Sequence, residues 1–376
     1  MEKVPVVYMR GGTSKGVFLH ERDMPAEKEN WTPFLLDLMG SPDKRQIDGL
    51  GGANSLTSKA AIIRKAEPEE DFDVHYTFAQ VSITAETVDM NGNCGNISSA
   101  VGPFAIQEGL VPVTEPITTV RIWNTNTKKL IIAEVAVKDG NVQTSGTTSI
   151  PGVPGHGSGI TLTFCDAEGS VTGELLPTGN ITDSLETSFG SIDCSIVDAA
   201  NPLVFIEAAS LDIEGTILPD AFTEAKLQQC EEIRAAAAEL CGFASRDQAT
   251  KLSPAVPKLA LIGKPKAFID MNDNTHSAQD MDIHVRMLSM QKPHEALAIT
   301  GAICTTAACA ITGTLPQKLA RNTAGSLRIA HPSGVTETAY SSLSEIKVIR
   351  TARRIMDGIA YVKHDYNMRE AIPLKE

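Results

Sequence analysis

The chain has 376 residues, of which 42% are hydrophobic, 21% charged and 5% aromatic, and its formal net charge at pH 7 is −13. Single hydrophobic cores rarely grow beyond ~250–300 residues, so this length predicts two domains of an ordinary globular protein. The negative charge and the lack of a Lys/Arg cluster argue against a nucleic-acid-binding protein, but they allow a small anionic substrate held by N–H groups and local cations.

The N-terminal stretch MEKVPVVYMRGG has no signal-peptide core, and no apolar run approaches the ~18 residues of a membrane span. The seven cysteines are scattered, without the short paired spacings of a disulfide framework or a zinc site. We therefore expect reduced thiols, a cytoplasmic location, and no contact with a membrane, a nucleic acid or a structural metal. The oligomeric state stays open, with a homo-oligomer as one alternative.

Short β-branched runs separated by Gly, Pro, Asn or Asp predict strands along much of the chain. In chain order these runs are VPVVYMRGGTSKGVFL, HYTFAQVSIT, ITTVRIWNT, LIIAEVAV, CSIVDAANPLVFIEA, KLALIG and EIKVIRTA. Helical patterns are fewer: residues 223–243 show the clearest one, and two segments rich in small residues, 96–108 and 301–313, are the others. This succession of elements predicts an α+β fold.

One cysteine, Cys94, lies among glycines and asparagines in the stretch NGNCGNISSA. Gly favours turns and Asn favours helix N-termini, so the stretch predicts a loop that leads into the helix at 96–108. Cys94 would then face unpaired N–H groups at the positive end of a helix dipole, which favours the reactive thiolate. The alternative is a small buried hydrophobic residue, which is what a free cysteine usually is.

The two halves of the chain contain a weak internal repeat. The matching segments are 9–19 with 197–208, 92–112 with 299–316, and 119–126 with 326–333. One constant offset aligns Cys94 with Gly301 and Arg121 with Arg328. We infer a duplicated α+β unit, in which one central helix is wrapped by mostly antiparallel sheet.

The repeat predicts a domain of residues 1–185 and a second domain of residues 186–376, and the last strand, near 350–376, is a candidate to return to the first domain. Two units related by a pseudo-twofold axis would direct their helix N-termini toward a shared cleft. Such a cleft is a natural site for an anion, because helix N-termini present unpaired N–H groups.

Several long motifs, spread over nearly the whole chain, together resemble one family. They are MRGGTSKGVFL, QIDGLGGANSLTSKAAII, NGNCGNISSAVGPFAI, LPTGN, SIVDAANPLVFI, GTLP and IRTARRIMDG. The family contains 2-methylaconitate isomerases, oxalomesaconate tautomerases and 3-methylitaconate Δ-isomerases, and YTFAQVSIT, NGNCGNIS and MQKPH are most similar to the methylitaconate branch. The resemblance implies the fold of diaminopimelate epimerase, which agrees with the duplicated unit.

The resemblance further implies an isomerase that moves a proton along an allylic carboxylate without cofactor or metal. It implies catalytic roles for Lys59 in LTSKAAII and Cys94 in GNCGN, with His294 in MQKPH as a third participant. The expected partner is a small unsaturated di- or tricarboxylate: 3-methylitaconate, converted to 2,3-dimethylmaleate, is the first expectation, and 2-methylaconitate, aconitate and oxalomesaconate are alternatives. The predicted substrate-binding residues are Thr13, Ser14, Lys15, Ser58, Asn93, Gly95, Asn96, Thr300 and Gly301.

Each of these residues also has a simpler interpretation. A lone lysine such as Lys59 is usually exposed and protonated, with a pKa of about 10.4, so a basic role needs a pKa lowered by burial or by a neighbouring cation. Arg10 and Lys15 flank a turn that lacks the phosphate-loop pattern, so this turn is a carboxylate clamp or a plain hairpin. His294 is a catalytic residue or an ordinary residue near a helix start, and His331 belongs to a turn.

Two other functions are compatible with this fold. A two-cysteine epimerase needs one thiol at each helix start, but the position related to Cys94 is Gly301, and Cys304 lies three residues further on. We expect Cys304 and Cys309 to be packing residues, so this asymmetry disfavours epimerisation. A non-catalytic carboxylate-binding accessory protein is the hypothesis from a different class, and it does not explain why both Lys59 and Cys94 are present.

Overall fold

A computed structural model describes residues 1–368 of the chain, and within them it contains 21 β-strands and six α-helices. The elements up to Cys165 are β1 (Glu2–Gly11), β2 (Ser14–His20), α1 (Trp31–Met39), β3 (Lys59–Lys65), β4 (Val74–Val81), β5 (Val88–Asp89), α2 (Gly95–Gln107), β6 (Ile117–Asn124), β7 (Lys129–Lys138), β8 (Asn141–Val142) and β9 (Ile160–Cys165). The later elements are β10 (Asp183–Thr187), β11 (Gly190–Asp198), β12 (Pro202–Glu207), α3 (Glu224–Leu240), α4 (Ala249–Leu252), β13 (Lys258–Gly263), β14 (Phe268–Ile269), β15 (Thr275–His276), β16 (Ile283–Ser289), β17 (Lys292–Pro293), α5 (Ile299–Ala310), α6 (Leu315–Leu319), β18 (Ser326–His331), β19 (Gly334–Ser342), β20 (Glu345–Arg350) and β21 (Ala352–Val362).

The chain forms two compact units. The first consists of Met1–Leu162 together with the chain from Arg350 onward, and the second is Thr163–Ile349. The division into domains at residue 185 stays a prediction, and residues 369–376 of its last segment lie outside the described residues. Within those described, no helix has the length and apolar character needed to cross a membrane.

In the first unit, the strands pair in the order β21, β1, β2, β3, β4, β6 and β7. The β1–β2 pair is an antiparallel hairpin in which Gly11 lies opposite Ser14. Strand β3 runs parallel to β2 and antiparallel to β4, with Lys59 opposite Gln80. Strand β6 is parallel to β4 and antiparallel to β7.

The second unit repeats this succession of pairings. Its strands pair in the order β11, β12, β13, β16, β18 and β19. The β12–β13 and β16–β18 pairs are parallel, and the other three pairs are antiparallel. In both units a fully buried helix, α2 or α5, connects the second parallel pair. The duplicated α+β unit is therefore confirmed.

The two arginines that the sequence repeat aligns make equivalent backbone contacts. The N–H of Arg121 donates to the Asp73 carboxylate at 2.6 Å, and the Asp73 N–H donates to the Arg121 carbonyl at 2.8 Å. In the second unit, the N–H of Arg328 donates to the Asp282 carboxylate at 2.9 Å, and the Asp282 N–H donates to the Arg328 carbonyl at 2.8 Å. The repeat thus extends to individual hydrogen bonds.

Helices α2 and α5 are the central helices of the two units. Residues 95–106 of α2 and 299–309 of α5 are all buried. Helix α2 packs against β1, β2, β6, β7 and β21 of its own unit. Its small residues permit this close approach, since a Cβ atom at Gly102 would lie only 3.0 Å from the Cβ atom of Ala133.

The helix bounds differ from the predicted ones by a few residues, for local reasons. Helix α3 begins at Glu224 because the Thr223 side chain accepts a hydrogen bond from the Lys226 N–H at 3.3 Å, which caps the helix. Helix α5 begins at Ile299 and ends at Ala310, because Ile311 is extended and Gly313 has a φ of 94°. That left-handed conformation is one that glycine adopts readily and that ends helices.

A glycine in β2 makes one close backbone contact possible. A Cβ atom at Gly16 would lie 2.3 Å from the carbonyl oxygen of Lys59 on the neighbouring parallel strand. We expect Gly16→Ala to reduce the free energy of unfolding by about 2 kcal/mol or more, because overpacking against backbone forces a strand to shift. Urea denaturation followed by circular dichroism measures this loss.

Gly358→Ala in β21 is the matched control. Its added Cβ would meet only the Met356 side chain, at an ordinary 3.5 Å, so the free energy of unfolding should change by less than about 0.5 kcal/mol. Equal effects of the two substitutions would contradict the steric argument.

Candidate active site

The turn between β1 and β2 lies against the start of α2. A Cβ atom at Gly11 would be 2.5 Å from the carbonyl oxygen of Asn96, and one at Gly12 would be 2.1 Å from its side-chain Oδ1. Gly12 also has a φ of 53°, which L side chains rarely adopt. The N–H of Thr13 donates to Asn96 Oδ1 at 3.3 Å, so the turn is joined directly to the helix start.

Two hydroxyls of this turn are buried without a hydrogen-bond partner among the described residues. They are Thr13 Oγ1 and Ser14 Oγ. A buried polar group that makes no hydrogen bond costs about 1–3 kcal/mol, so we expect a water molecule, an ion or a ligand to bind both hydroxyls. The carboxylate of a substrate could accept hydrogen bonds from both hydroxyls.

The two cations that flank the turn have different contacts. The Arg10 guanidinium donates from Nη1 to the carbonyls of Gly12 at 2.9 Å and Thr351 at 2.8 Å, so it supports the turn itself. Lys15 donates its backbone N–H to the Leu56 carbonyl at 3.0 Å, and its Nζ lies 5.7 Å from the centre of the Tyr8 ring. The contact of Lys15 with substrate stays a prediction.

Lys59 is the first residue of β3, and its side chain is buried. Its Nζ donates to Oε1 of Gln80 and lies 5.1 Å from the centre of the Phe78 ring. Burial lowers the pKa of the Lys59 ammonium below its usual range, and the charge of Cys94 partly opposes this shift. A pKa lowered by burial is what a lysine needs in order to act as a base.

Cys94 is the residue immediately before α2, as the sequence predicts. It is extended, with φ −117° and ψ 96°, and it is half-buried. Its carbonyl accepts hydrogen bonds from the N–H of Ser98 at 2.9 Å and from Ser98 Oγ at 3.0 Å. Because Ser98 completes the first turn in this way, the thiol is held at the end of the helix where N–H groups are unpaired.

The predicted site residues on either side of Cys94 hold the helix start in position. Asn93 is buried, and its Oδ1 accepts from Ser98 Oγ at 3.2 Å and from Asn124 Nδ2 at 3.4 Å. The carbonyl of Asn96 accepts from Ser99 Oγ at 2.6 Å, and Gly95 is the first helical residue. Direct contact of these residues with substrate stays a prediction.

Ser58 precedes Lys59 and is fully buried. Its hydroxyl donates to the Val81 carbonyl at 2.9 Å and accepts from Gln46 Nε2 at 2.7 Å. Both hydrogen bonds hold the start of β3 against the rest of the unit. A role for Ser58 in substrate binding stays a prediction.

Three of the predicted site residues belong to the second unit. His294 lies in the loop between β17 and α5, where its Nδ1 accepts from the Ala296 N–H at 3.0 Å. Thr300 and Gly301 are buried in the first turn of α5, and a Cβ at Gly301 would lie 2.7 Å from Met287 Sδ. The catalytic role of His294 and the binding roles of the other two stay predictions.

The residues that the sequence assigns to packing are buried. Cys304 donates from Sγ to the Val197 carbonyl at 3.1 Å, and burial raises the pKa of the Cys304 and Cys309 thiols. His331 is buried too, with its Nε2 2.9 Å from Thr336 Oγ1. Both cysteines of α5 are therefore packed inside the second unit.

Sequence reasoning missed three residues of β4 that surround the lysine and the cysteine: Tyr76, Phe78 and Gln80. They alternate along the strand, so they share one face of the sheet, and this alternation in HYTFAQVSIT was the available signal. Burial raises the pKa of Tyr76 well above its usual range, the charge of Cys94 adds to the rise, and Ser98 opposes it. The Tyr76 hydroxyl has no hydrogen bond within 3.5 Å in the described chain, although Ser98 is close enough to affect its pKa.

In residues 1–368, no group of three or more His, Cys, Asp or Glu side chains could hold a metal ion. The expectation that the reaction needs no cofactor stays a prediction.

Two units that each wrap a sheet around a buried helix define a protein with an epimerase-like fold, and the first unit has a buried lysine and a cysteine at the N-cap position of its central helix. A solved hydroxyproline epimerase from Agrobacterium vitis shares this fold, with a TM-score of 0.56, 10% identity, and coverage of 95% of this chain and 92% of that one. The chain belongs to the PrpF protein family, whose sequence model matches residues 1–363.

Relatives of known name and one solved structure are similar over almost the whole chain. A putative isomerase, YraM of Bacillus subtilis, is 61% identical over 98% of this chain and 100% of its own length. A 3-methylitaconate isomerase of Eubacterium barkeri is 46% identical, and a 2-methyl-aconitate isomerase of Shewanella oneidensis is 38% identical; each match covers 96% of this chain and 97% of the relative. The crystal structure of a methylitaconate-delta-isomerase has a TM-score of 0.81 and 46% identity, with 96% of both chains covered.

The exposure of the cysteines predicts which one reacts first with an alkylating agent. Burial raises the pKa of Cys194, Cys230 and Cys241 to about 12, whereas Cys94 is half-buried at a helix N-terminus. We expect iodoacetamide to modify Cys94 before the other six cysteines, and a bound dicarboxylate to slow that modification. Peptide mass spectrometry over a time course measures both effects. Cys165, which is also half-buried, is the internal comparison, and faster labelling of Cys165 would contradict the prediction.

Proposed function

We propose that the protein is an isomerase that shifts a C=C bond in a small unsaturated dicarboxylate by allylic proton transfer, converting 3-methylitaconate to 2,3-dimethylmaleate. The observation that carries the proposal is the buried Lys59, electrostatically coupled to the half-buried Cys94 at a helix start. The 46% identity to a 3-methylitaconate isomerase over 96% of the chain supports the choice of substrate.

The chemistry needs one group that removes a proton and another that returns it. In 3-methylitaconate the carbon that carries the methyl and one carboxylate also lies next to the C=CH2 group. Removal of its proton leaves a dienolate, whose charge is shared by the carboxylate on that carbon and the terminal CH2 carbon. A proton added to that CH2 carbon forms the second methyl group and the internal double bond of 2,3-dimethylmaleate.

The lowered pKa of Lys59 supports the lysine as the base, because its neutral amine is then available at lower pH than that of an ordinary lysine. In this assignment the Cys94 thiol returns the proton to the CH2 carbon. Turnover leaves an ammonium on Lys59 and a thiolate on Cys94, and one proton transfer between them or through solvent restores the starting state. The reverse assignment, with Cys94 as base and Lys59 as acid, is the alternative that the pH dependence distinguishes.

The start of α2 would stabilise the dienolate. Its unpaired N–H groups can approach the substrate carboxylate whose negative charge grows in the transition state. The unpartnered hydroxyls of Thr13 and Ser14 lie in the turn that packs against the same helix start, so they could hold that carboxylate. A carboxylate bound in this way would fix the reacting carbon relative to Lys59 and Cys94.

Other members of the same reaction class are the second candidate. The 38% identity to a 2-methyl-aconitate isomerase keeps 2-methylaconitate as an alternative substrate, and aconitate and oxalomesaconate would need the same proton transfer. An epimerase that uses two thiols is disfavoured, because the residue immediately before α5 is Ala298, at the position that Cys94 occupies before α2. A cytoplasmic location, a homo-oligomeric state and the absence of membrane or nucleic-acid partners remain proposals.

Proton NMR in D2O tests the reaction and the catalytic cysteine together. With wild-type protein, the vinyl CH2 signals of 3-methylitaconate should disappear while deuterium enters a product methyl group. Cys94→Ser should lower kcat by about 10²-fold or more with little change in substrate binding, because a serine hydroxyl titrates far from neutrality. Cys165→Ser is the matched control and should retain wild-type turnover. Wild-type turnover by Cys94→Ser would make the cysteine a packing residue.

The pH dependence of kcat/KM distinguishes the two assignments of Lys59. If Lys59 is the base, activity requires the neutral amine, so kcat/KM should rise as the pH passes upward through the lowered pKa of Lys59. If Lys59 is the acid, activity requires the ammonium, and kcat/KM should fall over that range. Lys59→Ala should abolish this pH dependence of kcat/KM and reduce kcat. If the same pH dependence persists in Lys59→Ala, another group is the one that titrates.

A further inference from the structure

The side chain of Gln80 forms the one hydrogen bond of the Lys59 amine to another side chain in the described residues. We propose that Gln80 is a positioning residue for Lys59: its neutral amide holds the amine in place without the charge that a carboxylate would bring. This inference rests on the proposed role of Lys59 in proton transfer. It assigns to Gln80 no contact with substrate.

The orientation of the Gln80 amide follows from its other contacts. Its Nε2 donates to the carbonyl of Ser58 at 2.9 Å and to the carbonyl of Ser55 at 3.2 Å. Both acceptors are backbone oxygens, so the NH2 group must point toward them and Oε1 must point toward Lys59. The strand register places the two residues directly opposite each other on β3 and β4.

The surroundings of Lys59 contain few charged groups. The titratable residues on the neighbouring elements are Lys15 and His20 on β2, His75 and Tyr76 on β4, Asp89 on β5 and Cys94 before α2. Asp89 lies opposite Gln80 in the register, but its Oδ1 accepts from the N–H of Asn91 at 2.9 Å. Among the described residues, no carboxylate forms an ion pair with Lys59, and Cys94 is the residue whose charge affects the Lys59 pKa.

A neutral acceptor suits a lysine that must change its protonation state. An opposite charge within about 4–6 Å typically raises the pKa of an amine by about 1–3 units and would keep it protonated. An amide oxygen accepts a hydrogen bond from either the ammonium or the neutral amine. Gln80 can therefore hold Nζ in the same place before and after proton transfer.

Two substitutions should shift the titration of Lys59 in opposite directions. Gln80→Glu adds a negative charge beside the amine and should raise its pKa by about 1–2 units. Gln80→Met keeps the length of the side chain but removes the acceptor, so it should lower the pKa. The decrease in Gln80→Met is the discriminating result, because a carboxylate beside the amine raises its pKa whatever the role of Gln80.

The titration can be followed without substrate by NMR of protein labelled with 13C at lysine Cε. The Lys59 signal is the one that is absent from Lys59→Met. Gln143→Glu is the matched control, because Gln143 follows β8 of the same unit and its amide donates only to the Asn141 carbonyl, at 3.4 Å. This control should leave the titration of Lys59 unchanged.

Activity measurements provide the second readout. The limb of the kcat/KM profile that belongs to Lys59 should move upward in pH in Gln80→Glu and downward in Gln80→Met. In both variants kcat should fall about 10-fold or more at the wild-type optimum, while KM changes less than threefold, because the misplaced amine affects the reaction more than binding.

The two measurements separate this inference from the proposed function. An unchanged Lys59 titration in folded Gln80→Glu and Gln80→Met would overturn the role of Gln80, whatever the substrate is. If Gln80→Glu does not fold, the direction in which the Lys59 pKa shifts in Gln80→Met decides whether Gln80 positions the lysine. Shifts of opposite sign in a protein that does not convert 3-methylitaconate would support Gln80 and reject the proposed reaction.

Discussion

The start of helix α2 is the constraint on which the rest of the first unit depends. A helix N-terminus presents N–H groups without partners, and α2 begins among buried residues, so nearby side chains and turns must complete it. Ser98 Oγ donates to the Cys94 carbonyl and to Asn93 Oδ1, which fixes the first turn without using these N–H groups, and the β1–β2 turn approaches so closely that only glycine fits at residues 11 and 12. The same N–H groups provide the positive environment that a dicarboxylate and its dienolate require.

The burial of Lys59 is the second constraint on the first unit. A buried amine favours its neutral form, and the surrounding residues provide a neutral amide and an aromatic ring instead of a carboxylate. The charge of Cys94 partly opposes the shift, so the thiol affects the protonation of the lysine.

The duplicated unit shows how one half of a symmetric fold can be specialised. Both units have the same strand succession and the same Asp–Arg backbone contacts, but their central helices begin differently. Helix α2 follows a half-buried cysteine, whereas the first turn of α5 contains Gly301 packed against Met287, and the thiol of Cys304 is buried against a carbonyl. This difference disfavours a two-thiol mechanism, and in the proposed reaction the lysine of strand β3 takes the place of the second thiol.

The sequence by itself determined the features that depend on local pattern. Short β-branched runs predicted the strands, the glycines at residues 11 and 12 predicted the turn, and the run of small residues after Cys94 predicted the central helix. Motif similarity selected Lys59 and Cys94. Tertiary structure alone decided the partners of these residues. Gln80 meets Lys59 because β3 and β4 pair in one particular register, and a slip by one residue would move Gln80 to the other face of the sheet. The pKa of the lysine depends on long-range strand pairing and on burial, and the residues adjacent to Lys59 in sequence determine neither.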